Sequence, residues 1–112
     1  MIFLALLTAL MIAAAPADVM GMPKKAYSAC LHEQMNSNLK SKAAVVDFDK
    51  ALATSCASQE AALKSAIIAQ QLSMKASRKD AEEVASEWIT DLRSNARENY
   101  LNASGEESAP ST

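Results

Sequence analysis

The chain predicts an all-α fold: a small three-helix, mostly antiparallel bundle, or a helical hairpin plus a third helix, stapled by one disulfide and preceded by a cleaved signal peptide. Three observations carry that expectation. Apolar residues recur at steps of three and four over most of the chain, the spacing of one helix face. The two glycines, Gly21 and Gly105, lie outside the periodic stretch, so no conformationally loose residue interrupts it. Half of the residues are hydrophobic but only 4% are aromatic, and the small side chains, chiefly Ala, that make up much of the apolar count suit helices packed at close range.

The first element is a leader. Ile2 to Ala15 carries no charge, with Thr8 as its sole hydroxyl, and runs into Pro16, Ala17 and Asp18. A stretch of about 14 apolar residues fits the core of a secretory signal peptide and falls short of the roughly 20 that a helix needs to cross a bilayer. Ala15 and Ala17 supply the small residues of an A-x-A site, so residues 1–17 are expected to be removed ahead of Asp18. The start of the chain holds no Lys or Arg, which keeps an uncleaved inner-membrane anchor open as the alternative. Cleavage leaves 22 large apolar side chains to build a core, few for a domain of this size.

Residues 18–23 show no period and read as a mobile arm whose methionines can fold back on the core. From Lys24, the residues Tyr27, Cys30, Leu31, Gln34, Met35 and Leu39 follow helical steps, with Pro23 suited to a helix start, giving a first helix over about 24–39. Asn36 to Lys42 is rich in Asn, Ser and Lys and should turn. A second, long amphipathic helix over 43–75 is marked by Val45, Phe48, Leu52, Cys56, Leu63, Ile67 and Met74, with an N-cap near Ser41 or at Asp47. Gln59, Glu60, Gln70 and Gln71 interrupt its apolar face and are read as solvated or rim residues. Ser77 can cap a third helix over 78–101, although Arg78 and Lys79 oppose the dipole there and leave a continuous helix open. Its stripe would bury Ala81, Val84, Ala85, Trp88, Leu92, Ala96 and Tyr100, with Trp88 as the largest anchor. Residues 102–112 are polar and small and read as a disordered tail, in which Asn102 to Ser104 match N-x-S as a frequent chance pattern.

Cys30 and Cys56 are expected to form one intramolecular bridge. An antiparallel helix pair turning near Lys40 to Lys42 brings them to nearly the same height, and an exported chain keeps disulfides. No C-x-x-C is present, and two Cys with a single His make an incomplete zinc set. His32 stands two residues from Cys30, on a different helix face, and is read as solvent-facing.

The charge balance, 11 Lys plus Arg against 13 Asp plus Glu, gives a net −2 without the basic cluster that nucleic acid binding requires, so no nucleic-acid partner is expected. No glycine-rich loop can cradle a nucleotide, no acid/base dyad is evident, and no E-x-x-H spacing of di-iron bundles occurs. Glu82, Glu83 and Glu87 form an acidic patch read as a solvated face. Catalytic residues, cofactor and metal are therefore all expected to be none. Trp88, Ile89 and Leu101 remain as candidate ligand or partner contacts; the last two lie off the third helix's stripe and either widen its apolar face or mark such a contact.

The expected role is that of a small exported, non-enzymatic protein of the bacterial cell envelope, periplasmic or secreted, acting as a binding or structural module on an unidentified protein partner and without a stable membrane span once the leader is gone. Self-association through the narrow apolar stripes is the alternative, followed by a thiol-active or metal-handling periplasmic protein and by small-molecule binding near Trp88.

Overall fold

The computed structural model describes residues 20–105, so the expected leader, residues 1–17, and the tail beyond Gly105 lie outside the described residues. Within them the chain forms four helices: α1 (Gly21–Ser41), α2 (Val45–Ser55), α3 (Ala57–Ser73) and α4 (Arg78–Ser104). No strand occurs among the described residues.

The expected arm is in part helical. α1 already includes Gly21, Met22 and Pro23, because the first-turn backbone N–H groups have no intrahelical partner and a proline there forfeits nothing. Met20 packs against the core, while Met22 is 77% exposed. At the other end of the chain, Asn102 to Ser104 are the last turn of α4 and not tail, and Gly105, at φ 78°, closes that helix in the left-handed conformation that suits glycine.

Two turns are built alike, on lysines. Lys42 (φ 57°) and Lys75 (φ 69°) take the left-handed position after α1 and α3. Around Lys42, the Ala43 N–H donates to the Asn38 carbonyl at 3.0 Å and the Lys42 N–H to Leu39 at 3.2 Å; around Lys75, Ala76 reaches Gln71 at 3.1 Å and Lys75 reaches Leu72 at 3.0 Å. Both are Schellman closures that satisfy the last helical carbonyls. A β-carbon makes the left-handed region cost about 1–2 kcal/mol, so Lys42→Gly is expected to raise stability by about 0.5–1 kcal/mol after its own unfolded-state entropy is counted. A urea midpoint that falls on this substitution would contradict the turn.

The single helix expected over 43–75 is divided at Cys56 (φ −105°, ψ 15°). The Cys56 N–H still donates to Leu52 at 3.2 Å, and the Glu60 N–H to the Cys56 carbonyl at 2.9 Å. The apolar stripe runs through the junction, and the sequence pattern is blind to it because no Gly or Pro marks it; the interruption falls on the residue whose side chain is bonded to another helix. α2 starts after Ala44, which gives no side-chain cap, so neither Ser41 nor Asp47 is the N-cap; Asp47 sits in the first turn, where the dipole favours a carboxylate. The step between α3 and α4 is a turn. The Ser77 hydroxyl accepts the Asp80 N–H at 3.1 Å and starts α4 as its expected cap.

Cross-links between helices fix their directions. Cys30 lies against Cys56 and Tyr27 against Glu60, so α1 runs antiparallel to α2 and α3. Arg93 meets Glu60, Arg97 meets Asp49 and Tyr100 meets Ala43, so α4 is antiparallel to them as well. The enclosed core comprises Tyr27, Cys30, Leu31, Phe48, Leu52, Cys56, Leu63, Ile67, Ala85, Ile89 and Tyr100. No helix among the described residues is long and apolar enough to cross a membrane.

Candidate functional site

The disulfide is present: Cys30 and Cys56 are joined at 2.03 Å with α-carbons 5.8 Å apart. Cys56 is fully enclosed and Cys30 is 8% exposed, both inside the core cluster. The Cys30 sulfur stands 3.6 Å from the Ser55 carbonyl oxygen. That contact is packing, since an oxidised sulfur carries no proton to donate.

One helical turn away lies the most connected polar group. Oε1 of Glu60, on α3, accepts the Tyr27 hydroxyl of α1 at 3.1 Å and the Arg93 Nε–H of α4 at 2.8 Å, with Arg93 Nη2 at 2.5 Å from the same oxygen. Glu60, with its side chain 22% exposed, is a rim residue that is also the point where three helices are tied. Arg93 was not distinguishable from other surface cations in the sequence. A signal was nonetheless present: once Cys30 is set opposite Cys56 in an antiparallel pair, stepping back one turn to Tyr27 and forward one turn to Glu60 makes them neighbours.

The electrostatics of this group favour one protonation state. Burial, foremost, pushes the Tyr27 phenol up to about 12; the Arg93 hydrogen bond opposes the rise and the Glu60 charge adds to it. Burial weighs against the Arg93 charge, but its hydrogen bonds to Tyr27 and Glu60 prevail and hold its proton more firmly than usual. At neutral pH the cluster is a protonated phenol and an ion pair, a tie between helices that presents no activated nucleophile or base.

A pH dependence follows. Because the folded-state value of Tyr27 lies above the unfolded value of about 10, its contribution is whole below pH 10 and is lost as pH rises towards 12. The wild type should therefore lose roughly 1 kcal/mol more stability between pH 9 and pH 11 than Tyr27→Phe does. Equal losses in urea titrations of the two proteins would refute this assignment.

The candidate contacts are distributed differently from expectation. Trp88 is not the central core anchor: it is 37% exposed at the edge of α4, with the Lys24 ammonium 5.7 Å from its ring centroid. Ile89 and Leu101, read as widening the apolar face or marking a partner contact, are buried at 7% and 5% exposure and widen that face. The reason is rotational. The buried face of α4 is centred on Ala81, Ala85 and Ile89, so Trp88 is turned to one side, where Lys24 of α1 lies over its ring. The structure thus does not bring Trp88, Ile89 and Leu101 together as one surface.

His32 is exposed. It borders a shallow groove between α1 and α4 whose floor is Leu31, Met35, Leu92 and Ala96 and whose far rim is Asn95 and Asn99. A larger open depression of about 490 Å³ lies between the α1–α2 turn and the end of α4, lined by Leu39, Lys42, Ala43, Tyr100, Ala103 and Ser104. Neither places a titratable pair against an enclosed apolar wall. Glu82, Glu83 and Glu87 are exposed on the outer side of α4. Among the described residues no three His, Cys, Asp or Glu side chains are grouped to hold a metal ion.

No known protein family, curated protein or solved structure matches this chain.

Proposed function

We propose that the chain is a small exported, non-enzymatic protein of the bacterial cell envelope that serves as a rigid binding or structural module. The observation that carries the reading is the enclosed Cys30–Cys56 bridge in a chain whose residues 2–15 form an uncharged apolar run ending at Ala15, Pro16 and Ala17. A structural disulfide persists in oxidising compartments outside the cytosol, and such a run is how a chain is sent there. The polar tie at Glu60 supports a structural rather than a chemical role, because its charges are spent on one another.

Intact mass of the protein from cell fractions, taken after thiol alkylation with and without prior reduction, tests the reading. A mass beginning at Asp18 in the exported fraction, with alkylation only after reduction and no dimer mass, is the expected result. A full-length mass in the cytosolic fraction, alkylated at both thiols before reduction, would overturn it.

A further inference from the structure

Four of the five large hydrophobic side chains exposed among the described residues lie at one end of the molecule: Met22 (77%), Leu72 (36%), Met74 (60%) and Trp88 (37%), with Val46 as the fifth, on α2. The helix lengths explain the clustering. Measured from the Tyr27–Glu60–Arg93 tie, α1 begins only six residues away at Gly21, whereas α3 runs 13 residues on to Ser73 and α4 starts 15 residues away at Arg78. At 1.5 Å per residue the α3–α4 hairpin overhangs the start of α1 by about 10 Å. Leu72 and Met74 sit on that overhang, while Met22 and Trp88 stand where α1 stops covering it.

Charge at this end is sided. Lys24 and Lys25 of α1, Lys75 of the turn and Arg78 and Lys79 at the start of α4 are all exposed there, five of the chain's 11 cations. The acidic residues of the same end are Asp80, in the first turn of α4, and Glu82, Glu83 and Glu87, which line the outer face of that helix with Lys79; Glu82 pairs with Arg78 at 3.8 Å, so Lys24, Lys25 and Lys75 are the cations left beside the apolar residues. An anionic surface would attract the apolar side and repel the outer one. A Trp, two Met and a Leu among lysines and one arginine is the composition of an interfacial contact.

We infer that the overhanging end of the α3–α4 hairpin docks on the surface of an anionic lipid bilayer, peripherally and without spanning it. The inference deepens the envelope reading and relies on it for access to such a surface; the contact itself depends only on Met22, Leu72, Met74, Trp88 and the adjoining cations.

Trp88 is the chain's only Trp and reports directly on the contact. The test uses the protein purified from cells, its N-terminus established by intact mass, with vesicles of phosphatidylcholine alone or mixed with phosphatidylglycerol. Mixed vesicles should shift Trp88 emission to the blue and carry the protein in flotation, and high salt should weaken both. At the same N-terminus, Leu72→Glu with Met74→Glu should weaken flotation about tenfold or more, and Lys25→Glu with Lys75→Glu should weaken it on mixed vesicles only. Val46→Glu, at the other exposed apolar residue, should leave it unchanged, and far-UV circular dichroism verifies that each variant is folded. Unmoved emission, or hairpin variants that float as well as the wild type, would overturn the inference. So would a blue shift that appears without vesicles and grows with protein concentration, because a second copy would then cover this end. Export without vesicle binding would defeat docking and leave the envelope reading standing; vesicle binding by a full-length cytosolic protein would do the reverse.

Discussion

Replacing both cysteines, Cys30→Ala with Cys56→Ala, is expected to remove about 3 kcal/mol of stability. The bridge closes a loop with a sequence separation of 26 residues, and in the chain-entropy model a crosslink of that span restrains the unfolded chain by about 3 kcal/mol. Alanine in place of serine avoids a buried hydroxyl at Cys56, which has no exposure. For a domain of this size the loss corresponds to a fall in Tm on the order of 15 °C, a large part of the stability of an ordinary small domain. Thermal unfolding of the double variant beside the oxidised and reduced wild type measures it. The variant and the reduced wild type should melt together, well below the oxidised protein; a difference of only a degree or two from the oxidised protein would mean that the bridge restrains nothing.

Tyr100→Ala is the second large effect, and its companion Tyr100→Phe separates the ring from the hydroxyl. The ring is fully enclosed and stacks on Phe48, with centroids 4.2 Å apart and planes 9° from parallel. Its hydroxyl points its proton between the carbonyl oxygens of Asn38, at 3.1 Å, and Ala43, at 2.5 Å, on either side of the Lys42 turn. Deleting the ring should cost about 3–5 kcal/mol through lost contacts and the cavity left behind. Deleting the hydroxyl alone should cost about 1–2 kcal/mol, because the ring still fills its place while part of the acceptor set loses its donor. Urea unfolding of both variants checks the order; equal and small losses would show that the end of α4 is not anchored through Tyr100.

The parts legible in the sequence were those governed by period and by covalent chemistry. Helical spacing located most of the core, including Tyr27, Phe48, Leu52, Leu63, Ile67, Ala85 and Tyr100, and the matched heights of Cys30 and Cys56 led to the bridge. Ser77 was readable as a cap because its hydroxyl acts within its own turn. The division at Cys56 was not readable, since the backbone there departs from helix without Gly or Pro and in register with a bond to a distant residue. Trp88 was placed at the centre of the core and Ile89 left between a wider apolar face and a partner contact, because neighbouring residues lie about 100° apart on a helix and the rotation of α4 depends on partners that no local pattern contains. The left-handed closures at Lys42 and Lys75 went unread, although a turn was expected at the first and a new cap after the second, because a lysine in that region leaves no trace in composition. The Glu60 tie combines both cases, derivable for Tyr27 once the disulfide register is known and opaque for Arg93, 33 residues further on.

The chain spacings of these contacts also order the assembly of the fold in time. Joining α1 to the following helices closes a segment of 26 residues at the bridge and 33 at Tyr27, whereas the anchors of α4 reach back 57 residues to Ala43 and 62 to Asn38. Loop-closure entropy rises only slowly with length, but long-range contacts come after the shorter ones that bring their surfaces together. The groove that receives Tyr100 is made by α1, the Lys42 turn and Phe48, all of which belong to the first half of the chain. A chain emerging from its N-terminus could thus assemble that groove before its last helix is available, and α4 would seat itself on a partner already formed.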